Sequence, residues 1–523
     1  MVGVPKSKRC TFCKTRKTKC DEKWPTCGTC ARAGKRCSGP SDGFKFIVNG
    51  NHNEAATDTK DGTGASRFSL AGISASRAHR RRHDTNIIIF DPKHAFKDPC
   101  RFKSYSLSDF PKSLPWSQPD QIAARFVTCL RAETGTGNDL HILGAFVDFI
   151  PQHIGRGNAA LGHAVELLLG AWTKSRQKLP STTWLDLVTY NKALHSLTAA
   201  LNDASVEPIS TLTTLCLLQK IEVLYDFARG SNQENHAAGL IAVIDKGGLT
   251  QPMTEMALHV TFESIFHMLQ EDIRQGRESQ FYTKKWMMTL KKSIDDSNID
   301  PILKHLYHLW VEMTAWPGLS RLVRILKENP SDTETAKELQ MRATKLAELL
   351  RRQDKTVMAS LAKSGAIREV ENMDRPSLFP KCYEFANFPT SKLFSSHAWF
   401  SIITCRFLEE ANKVLGCDDP SVGKQAMRFS RRVWMAHPWL RNQTPLAVDF
   451  TASLVFSYEA GNEEERNFCM ASLREMDSFR HPPPIGVWVE ETIMANAKAY
   501  SGRLQFLKTQ DVSVEYEGKG CRS

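Results

Sequence analysis

The chain has 523 residues, 41% of them hydrophobic and 24% charged, a balance that suits a soluble globular protein with room for a small module and one or two packed domains. No run approaches the roughly 18–20 apolar residues of a membrane span, and the opening MVGVPKSKR has no apolar stretch of an export signal, which speaks against a membrane protein and a secreted disulfide scaffold. The formal net charge of +12 is lopsided: residues 1–40 hold eleven Lys/Arg against Asp21 and Glu22, so +9 of it sits at one end.

Six cysteines occupy that basic end. Cys10, Cys13, Cys20, Cys27, Cys30 and Cys37 follow the spacing C-x2-C-x6-C-x6-C-x2-C-x6-C, the second three repeating the first three seventeen residues on. A C-x2-C pair lets one turn of chain present two thiolates to one metal ion, and zinc takes four such ligands tetrahedrally at about 2.3 Å. Two zincs need eight bonds, which six sulfurs supply only if two of them bridge. The pseudo-symmetry nominates the cysteine that opens each half, Cys10 and Cys27. An iron–sulfur site wants closer spacings than two gaps of six. A single zinc on four thiolates with two spare thiols stays open as an alternative, but it leaves the duplication without a reason.

Between Cys13 and Cys20, four of the six positions are cationic: Lys14, Arg16, Lys17 and Lys19. Six thiolates and two Zn2+ sum to −2, so part of this charge offsets the cluster, and the remainder is the footprint of a module that neutralises phosphates. Over roughly residues 5–40 the stretch resembles the fungal Zn2Cys6 binuclear cluster of transcription factors, which places a short helix in the major groove. The resemblance implies that the first and fourth cysteines bridge, in agreement with Cys10 and Cys27. It implies that the two adjacent basic residues reading base edges, often in a CGG triplet, are Arg16 and Lys17, and that Pro25 turns the chain between the halves. A Lys or Arg donates to guanine O6 and N7, and carbonyls at the helix C-terminus can accept from a cytosine amine. Lys8, Arg9, Lys14 and Lys19 are then assigned to phosphates, which orient the module without reading sequence. Thr15 and Thr18 stand where many members of the family carry larger side chains.

Residues 41–114 read as a flexible linker. Gly, Ser, Thr, Asn and Asp dominate 41–86, with too few large apolar side chains to order the segment. Near the end of that stretch lies the basic run RAHRRRHD, Arg77 to Asp84, which reads as a nuclear import signal, an auxiliary DNA-backbone contact or a solvated charge run. The linker shows no heptads, so it implies no coiled coil and leaves a homodimer open.

From about residue 115 the apolar residues fall at helical spacing. Expected helices are Trp116–Arg131, Asp139–Ile150, Asn158–Ser175, Trp184–Asn202 and one opening at Pro208. Beyond 250 come Met253–Gln275, Pro301–Trp316, Thr333–Arg352, Ser395–Gly416, Val422–Ala436, Ala447–Ala460, Glu463–Met476 and Val487–Tyr500. Pro317, Pro330 and Pro482–Pro484 mark breaks. Ala336, Leu339, Ala343, Leu346 and Leu350 make a heptad seam only two repeats long, which favours an intramolecular helix hairpin over a coiled coil. The acidic-aromatic stretch Asp139–Ile150 carries an apolar stripe of core type rather than the pattern of an activation segment.

Tyr190, Ala193, Leu194, Leu197, Ala200 and Leu201, then a Leu-rich helix ending near Glu222, then His236, Gly239 and Gly247-Gly248 resemble the fungal-specific transcription factor helical domain. Asn235 stands where that family often has tryptophan, and Gly247-Gly248 replaces a more usual Gly-Pro. The resemblance implies a regulatory role. Enzyme motifs are weak by comparison. Gly39-Pro-Ser41-Asp-Gly43 lacks the strand and helix a nucleophile elbow needs, and Gly135-Thr-Gly137 lacks a flanking βαβ pattern. His236, His259 and His267 admit a metal reading but read better as core or surface histidines. Of the scattered Cys100, Cys129, Cys216, Cys382, Cys405, Cys417, Cys469 and Cys521, most sit in apolar helical contexts and read as small buried hydrophobes of a reducing compartment. The tryptophans read as packing, with some free to line an effector pocket between helices.

The expectation is a mainly α protein: a small Zn2Cys6 DNA-binding module at 5–40, a linker at 41–114, a large all-α regulatory domain at 115–510 and a frayed tail at 511–523. Its expected function is nuclear, zinc-dependent, sequence-specific regulation of RNA polymerase II transcription, without enzyme activity. Two structural Zn2+ ions serve as cofactor, with double-stranded DNA and the transcription machinery or coregulators as partners. An adaptor whose cluster binds protein or RNA, and a helical enzyme with a DNA-binding tail, are the rivals.

Overall fold

The computed structural model describes residues 11–20, 27–34, 117–131, 140–156, 159–203, 207–225, 233–245, 253–373, 378–417, 419–443, 451–476 and 488–506. Contacts divide the chain into two units, residues 1–110 and 111–523, each taken by itself below. The expected linker with its basic run, the Gly39–Gly43 and Gly135–Gly137 motifs and the expected tail lie outside the described residues. In the first unit two short helices are described, α1 (Thr11–Thr15) and α2 (Gly28–Arg32).

The described part of the second unit is helical throughout, apart from one hairpin. Its first half holds α3 (Gln118–Leu130), α4 (Ala160–Arg176), α5 (Leu187–Asn202), α6 (Pro208–Tyr225), α7 (Gln233–Asp245) and α8 (Glu255–Gln275). Then come α9 (Lys284–Asp296), α10 (Pro301–Met313), α11 (Trp316–Glu328), α12 (Thr333–Gln353) and the short α13 (Ala359–Lys363). The antiparallel pair β1 (Ile367–Glu371) and β2 (Lys381–Phe385) follows, with Ile367 opposite Phe385. The described part ends with α14 (Phe388–Leu415), α15 (Pro420–Gln443), α16 (Thr451–Tyr458), α17 (Glu463–Met476) and α18 (Glu490–Tyr500).

Short polar side chains and prolines start these helices, because the first turn leaves N–H groups without carbonyl partners. Ser117 and Asp120 form a reciprocal capping box on α3, and Asp186 accepts from the N–H groups of Val188 and Thr189 at the start of α5. Asn387 caps α14, accepting from the Thr390 N–H, with Pro389 in the first turn. Glycines in the left-handed region, Gly276 (φ 66°) and Gly416 (φ 65°), close α8 and α14.

Helix α14 is the central strut. Residues 390–405 are buried all round, packed by α10, α12, α15 and α16. Much of that stretch is serine and threonine, and the hydroxyls close on their own helix: Ser391 donates to the Phe388 carbonyl at 2.7 Å, Ser401 to His397 at 2.7 Å and Thr404 to Phe400 at 2.9 Å. Charged side chains tie three core helices together. Glu263 of α8 pairs at 3.0 Å with Lys220 of α6 and at 3.0 Å with Lys392 of α14, all three buried. The heptad seam of α12, Ala336 to Leu350, is buried inside the unit against α11 and α14, which accounts for its shortness.

The all-α expectation holds, with local differences. Asp139–Ile150 is not an α-helix: residues 140–143 and 145–153 form two 3-10 segments, parted by Gly144 at φ 119° and carrying Pro151. Its apolar side chains Leu140, Leu143, Phe146, Val147 and Ile150 are buried, as core residues should be. Helices α7, α9, α11 and α13 and the β1–β2 hairpin are additions. Pro317, read as a break, sits in the first turn of α11, where its missing N–H costs nothing.

Gly502 (φ 76°) brings the chain after α18 against α11, where Trp316 Nε1 and Ser320 Oγ donate to the Tyr500 carbonyl at 2.9 and 2.8 Å. A Cβ at Gly502 would lie 2.1 Å from the Ser320 carbonyl oxygen, whereas one at Gly365, with nearly the same φ of 77°, would meet nothing within 4 Å. Gly365→Ala is therefore expected to cost only the backbone strain, about 1–2 kcal/mol, and Gly502→Ala clearly more, read from urea midpoints. Equal losses would mean the close approach is unimportant.

His437 of α15 lies edge-on to Phe468, and burial pushes its imidazole down to about 4. Above about pH 6.5 neither folded nor unfolded chain protonates it; between about 6.5 and 4 only the unfolded chain does, so stability falls as pH falls. At pH 5 this group alone should lower stability by about 2 kcal/mol relative to pH 7. His437→Leu should recover that loss in urea titrations at the two pH values, and an unchanged pH dependence would count against it.

Candidate metal centre and nucleic-acid interface

The two short helices of the first unit each follow a cysteine that opens a C-x2-C pair, and each is too short to hold itself together by backbone hydrogen bonds alone. Helix α1 ends in a left-handed turn. Lys17 takes φ 53°, and the Thr18 N–H reaches back to the Cys13 carbonyl at 3.0 Å, a six-to-one closure usually built on glycine. Helix α2 is capped by a cysteine: Cys27 Sγ accepts from the Cys30 N–H at 3.4 Å. Thr29 Oγ1 donates to the Lys19 carbonyl at 2.9 Å, fastening the segment just before Cys20 to the second half of the repeat.

These bonds bring sulfurs together across the repeat. The Sγ atoms of Cys13, Cys20 and Cys27 lie within 4.8 Å of one another, and Cys13 and Cys27, fourteen residues apart, are 3.6 Å apart at sulfur. A tetrahedron of thiolates around zinc at 2.3 Å has sulfur–sulfur edges of about 3.8 Å, so the donor set and its spacing fit zinc. Cys13, Cys27 and Cys30 are buried and Cys20 partly so. The grouping is informative because Cys27 belongs to the second half of the repeat yet joins two ligands of the first. Cys10 and Cys37 lie outside the described residues.

Beside this cluster the surface is basic. Arg16, Lys17 and Lys19 are exposed, as are Thr15 just before them and Thr18 among them, and Arg16 stacks its guanidinium over Phe12 at 5.4 Å. Lys14 lies on α1; Lys8 and Arg9 lie outside the described residues, as does Pro25. The described stretches 11–20 and 27–34 contain no acidic residue.

Among the described residues no other cluster of three metal-ligating side chains occurs. His236 bonds Glu222 at 2.7 Å and His259 bonds the Tyr307 hydroxyl at 2.6 Å, so both are satisfied core histidines. Three cysteines of the helical unit have the opposite chemistry to ligands: burial pushes the thiols of Cys216 to about 11 and of Cys405 and Cys469 to about 12, leaving them protonated and inert, whereas Cys417, expected to be buried, is exposed. What the sequence did not disclose lies in the helical unit, the buried Lys220–Glu263–Lys392 group. Its one signal was three charged residues standing inside otherwise apolar helical windows.

A thiolate cluster able to hold zinc, bordered by an exposed basic turn, defines a zinc-cluster nucleic-acid-binding module. Residues 8–43 match the fungal Zn(2)-Cys(6) binuclear cluster domain, which binds two zinc ions through six cysteines, and this segment contains six. The chain is accordingly a zinc-cluster, DNA-binding regulator of transcription. No curated protein and no solved structure matches the chain.

The convergence of Cys27 on Cys13 and Cys20 carries a quantitative expectation. Cys27→Ala should lower bound zinc toward none per chain, whereas Cys37→Ala should remove chiefly one of the two ions. Zinc counted per mole of purified protein checks this, and equal losses in the two variants would refute a shared sulfur.

Proposed function

We propose that the protein is a nuclear, sequence-specific regulator of transcription by RNA polymerase II that reads CGG-type triplets in the major groove. Cys10 and Cys27 bridge the two ions, Cys13 and Cys20 complete one site and Cys30 and Cys37 the other. When bound, the zincs supply the cross-links that a module of this size cannot obtain from a hydrophobic core. The observation that supports the reading best is the turn at Lys17: it ends α1 beside the sulfurs and leaves Arg16 and Lys17 exposed at the helix C-terminus. There the two cations can donate to guanine O6 and N7 while the last carbonyls of α1 face the same groove. Lys8, Arg9, Lys14 and Lys19 neutralise phosphates on either side.

The helical unit is the regulatory part, in line with its resemblance to the fungal-specific transcription factor domain. It carries no enzymatic role in this reading and offers its surface to coregulators or a second copy. An adaptor that binds RNA or protein through the cluster would show no preference for a CGG-containing duplex.

Competition binding at fixed salt tests the assignment of roles. Lys17→Ala should narrow the gap between CGG-containing and random duplex by about tenfold, the value of a lost base contact. Lys14→Ala should weaken both alike and reduce the salt slope by about one. Identical profiles for the two variants would overturn the division between base-reading and phosphate-gripping residues.

A further inference from the structure

The helical unit holds a partly open cavity of about 320 Å3, walled by α6, α8, α10, α14, α16 and α18 and within the range of small-molecule sites. Its body is aromatic: Phe266, Trp310, Trp399, Phe456, Trp488 and Tyr500 line it. Phe266 meets Trp399 edge-on at 5.6 Å, and Trp399 lies 5.3 Å from Phe456, so the rings hold one another in place from several helices.

Polar groups converge on the same space. Lys220, Glu263 and Lys392 stand on the wall, the two lysines donors only, and Lys392 Nζ lies 5.0 Å over the Trp310 ring. Ser395 of α14 and Ser453 of α16 also line it. Each is at most 3% exposed, and neither hydroxyl has a hydrogen-bond partner among the described residues. The neighbours of these serines behave differently. On α14, Ser391, Ser401 and Thr404 close on helix carbonyls; on α16, Ser457 donates to the Leu454 carbonyl at 3.1 Å and accepts from Trp434 Nε1 at 2.9 Å. Buried hydroxyls are almost always paired, so two orphans on one cavity wall call for an occupant. Water could satisfy the serines but would wet the aromatic faces opposite them, which is unfavourable in proportion to the apolar area.

We propose that this cavity binds a small aromatic compound bearing an oxygen acceptor, of the kind a carboxylate or carbonyl offers, with its ring among the tryptophans and its oxygen taking the Ser395 and Ser453 hydroxyl protons. The site lies within the helical unit, and the inference does not rest on how the zinc cluster reads DNA.

The probes are 2-naphthoate and naphthalene, titrated into the full-length zinc-loaded chain, with tryptophan fluorescence and the thermal midpoint as readouts. 2-Naphthoate should bind saturably and at least about tenfold more tightly than naphthalene, the value of one to two net hydrogen bonds. The double variant Ser395→Ala/Ser453→Ala should lose most of that advantage while keeping its affinity for naphthalene within about twofold. Without ligand its midpoint should stay level or rise, because the hydroxyls have no protein partner to lose. Absence of saturable binding by 2-naphthoate would overturn the proposal, as would equal affinity for the two probes or a double variant that binds 2-naphthoate like the parent.

Discussion

Two sulfur atoms 3.6 Å apart, on cysteines fourteen residues apart in sequence, fix the architecture of the first unit. Helices of five residues do not persist alone, and these two carry almost no apolar side chain to bury against each other. What holds them is the convergence of thiolates from both halves of a repeat, and that convergence in turn dictates where the basic turn points. Ligand geometry thus does here what a hydrophobic core does in the second unit. The chain uses two different physical solutions in its two parts, and removing metal should unmake one without touching the other.

The same side chain serves both solutions. Cys13, Cys20 and Cys27 gather at one point as ligands, while Cys216, Cys405 and Cys469 are dispersed among apolar neighbours that suppress their ionisation. Spacing alone separates the two populations, because a shared ion demands local sequence register and burial does not.

That difference explains how much was legible in the sequence. The cluster was legible because its constraint is local: cysteine offsets, a basic loop and a repeat. Amphipathic helices such as α4, α5 and α12 were legible from their stripes. α14 was visible only from Ser395 onward, because a helix buried on every side loses its periodicity, and its true start is set by Asn387 and Pro389. α9 and α11 were hidden for other reasons, the first by its many lysines and the second by a proline that opens a helix rather than ending one. The 3-10 stretch at 140–153 follows from Gly144, whose φ of 119° no other residue adopts readily and whose missing Cβ leaves room for Glu263. Nothing local in the sequence announces that contact, nor the meeting of Lys220, Glu263 and Lys392 from three distant helices. The cavity has the same origin, being a product of how six helices meet.

The left-handed backbone at Lys17 has an evolutionary corollary. Arg16, in the turn just after α1, has no positive φ to accommodate and so accepts a wider choice of side chain, but residue 17 must tolerate positive φ, which bulky β-branched residues do not. Under the proposed base-reading role of these two residues, drift in target preference would therefore draw on unequal alphabets: wide at 16, and at 17 confined largely to glycine, asparagine and flexible unbranched chains. Paralogues that diverge in the sites they recognise should vary more freely at the first of the two positions than at the second.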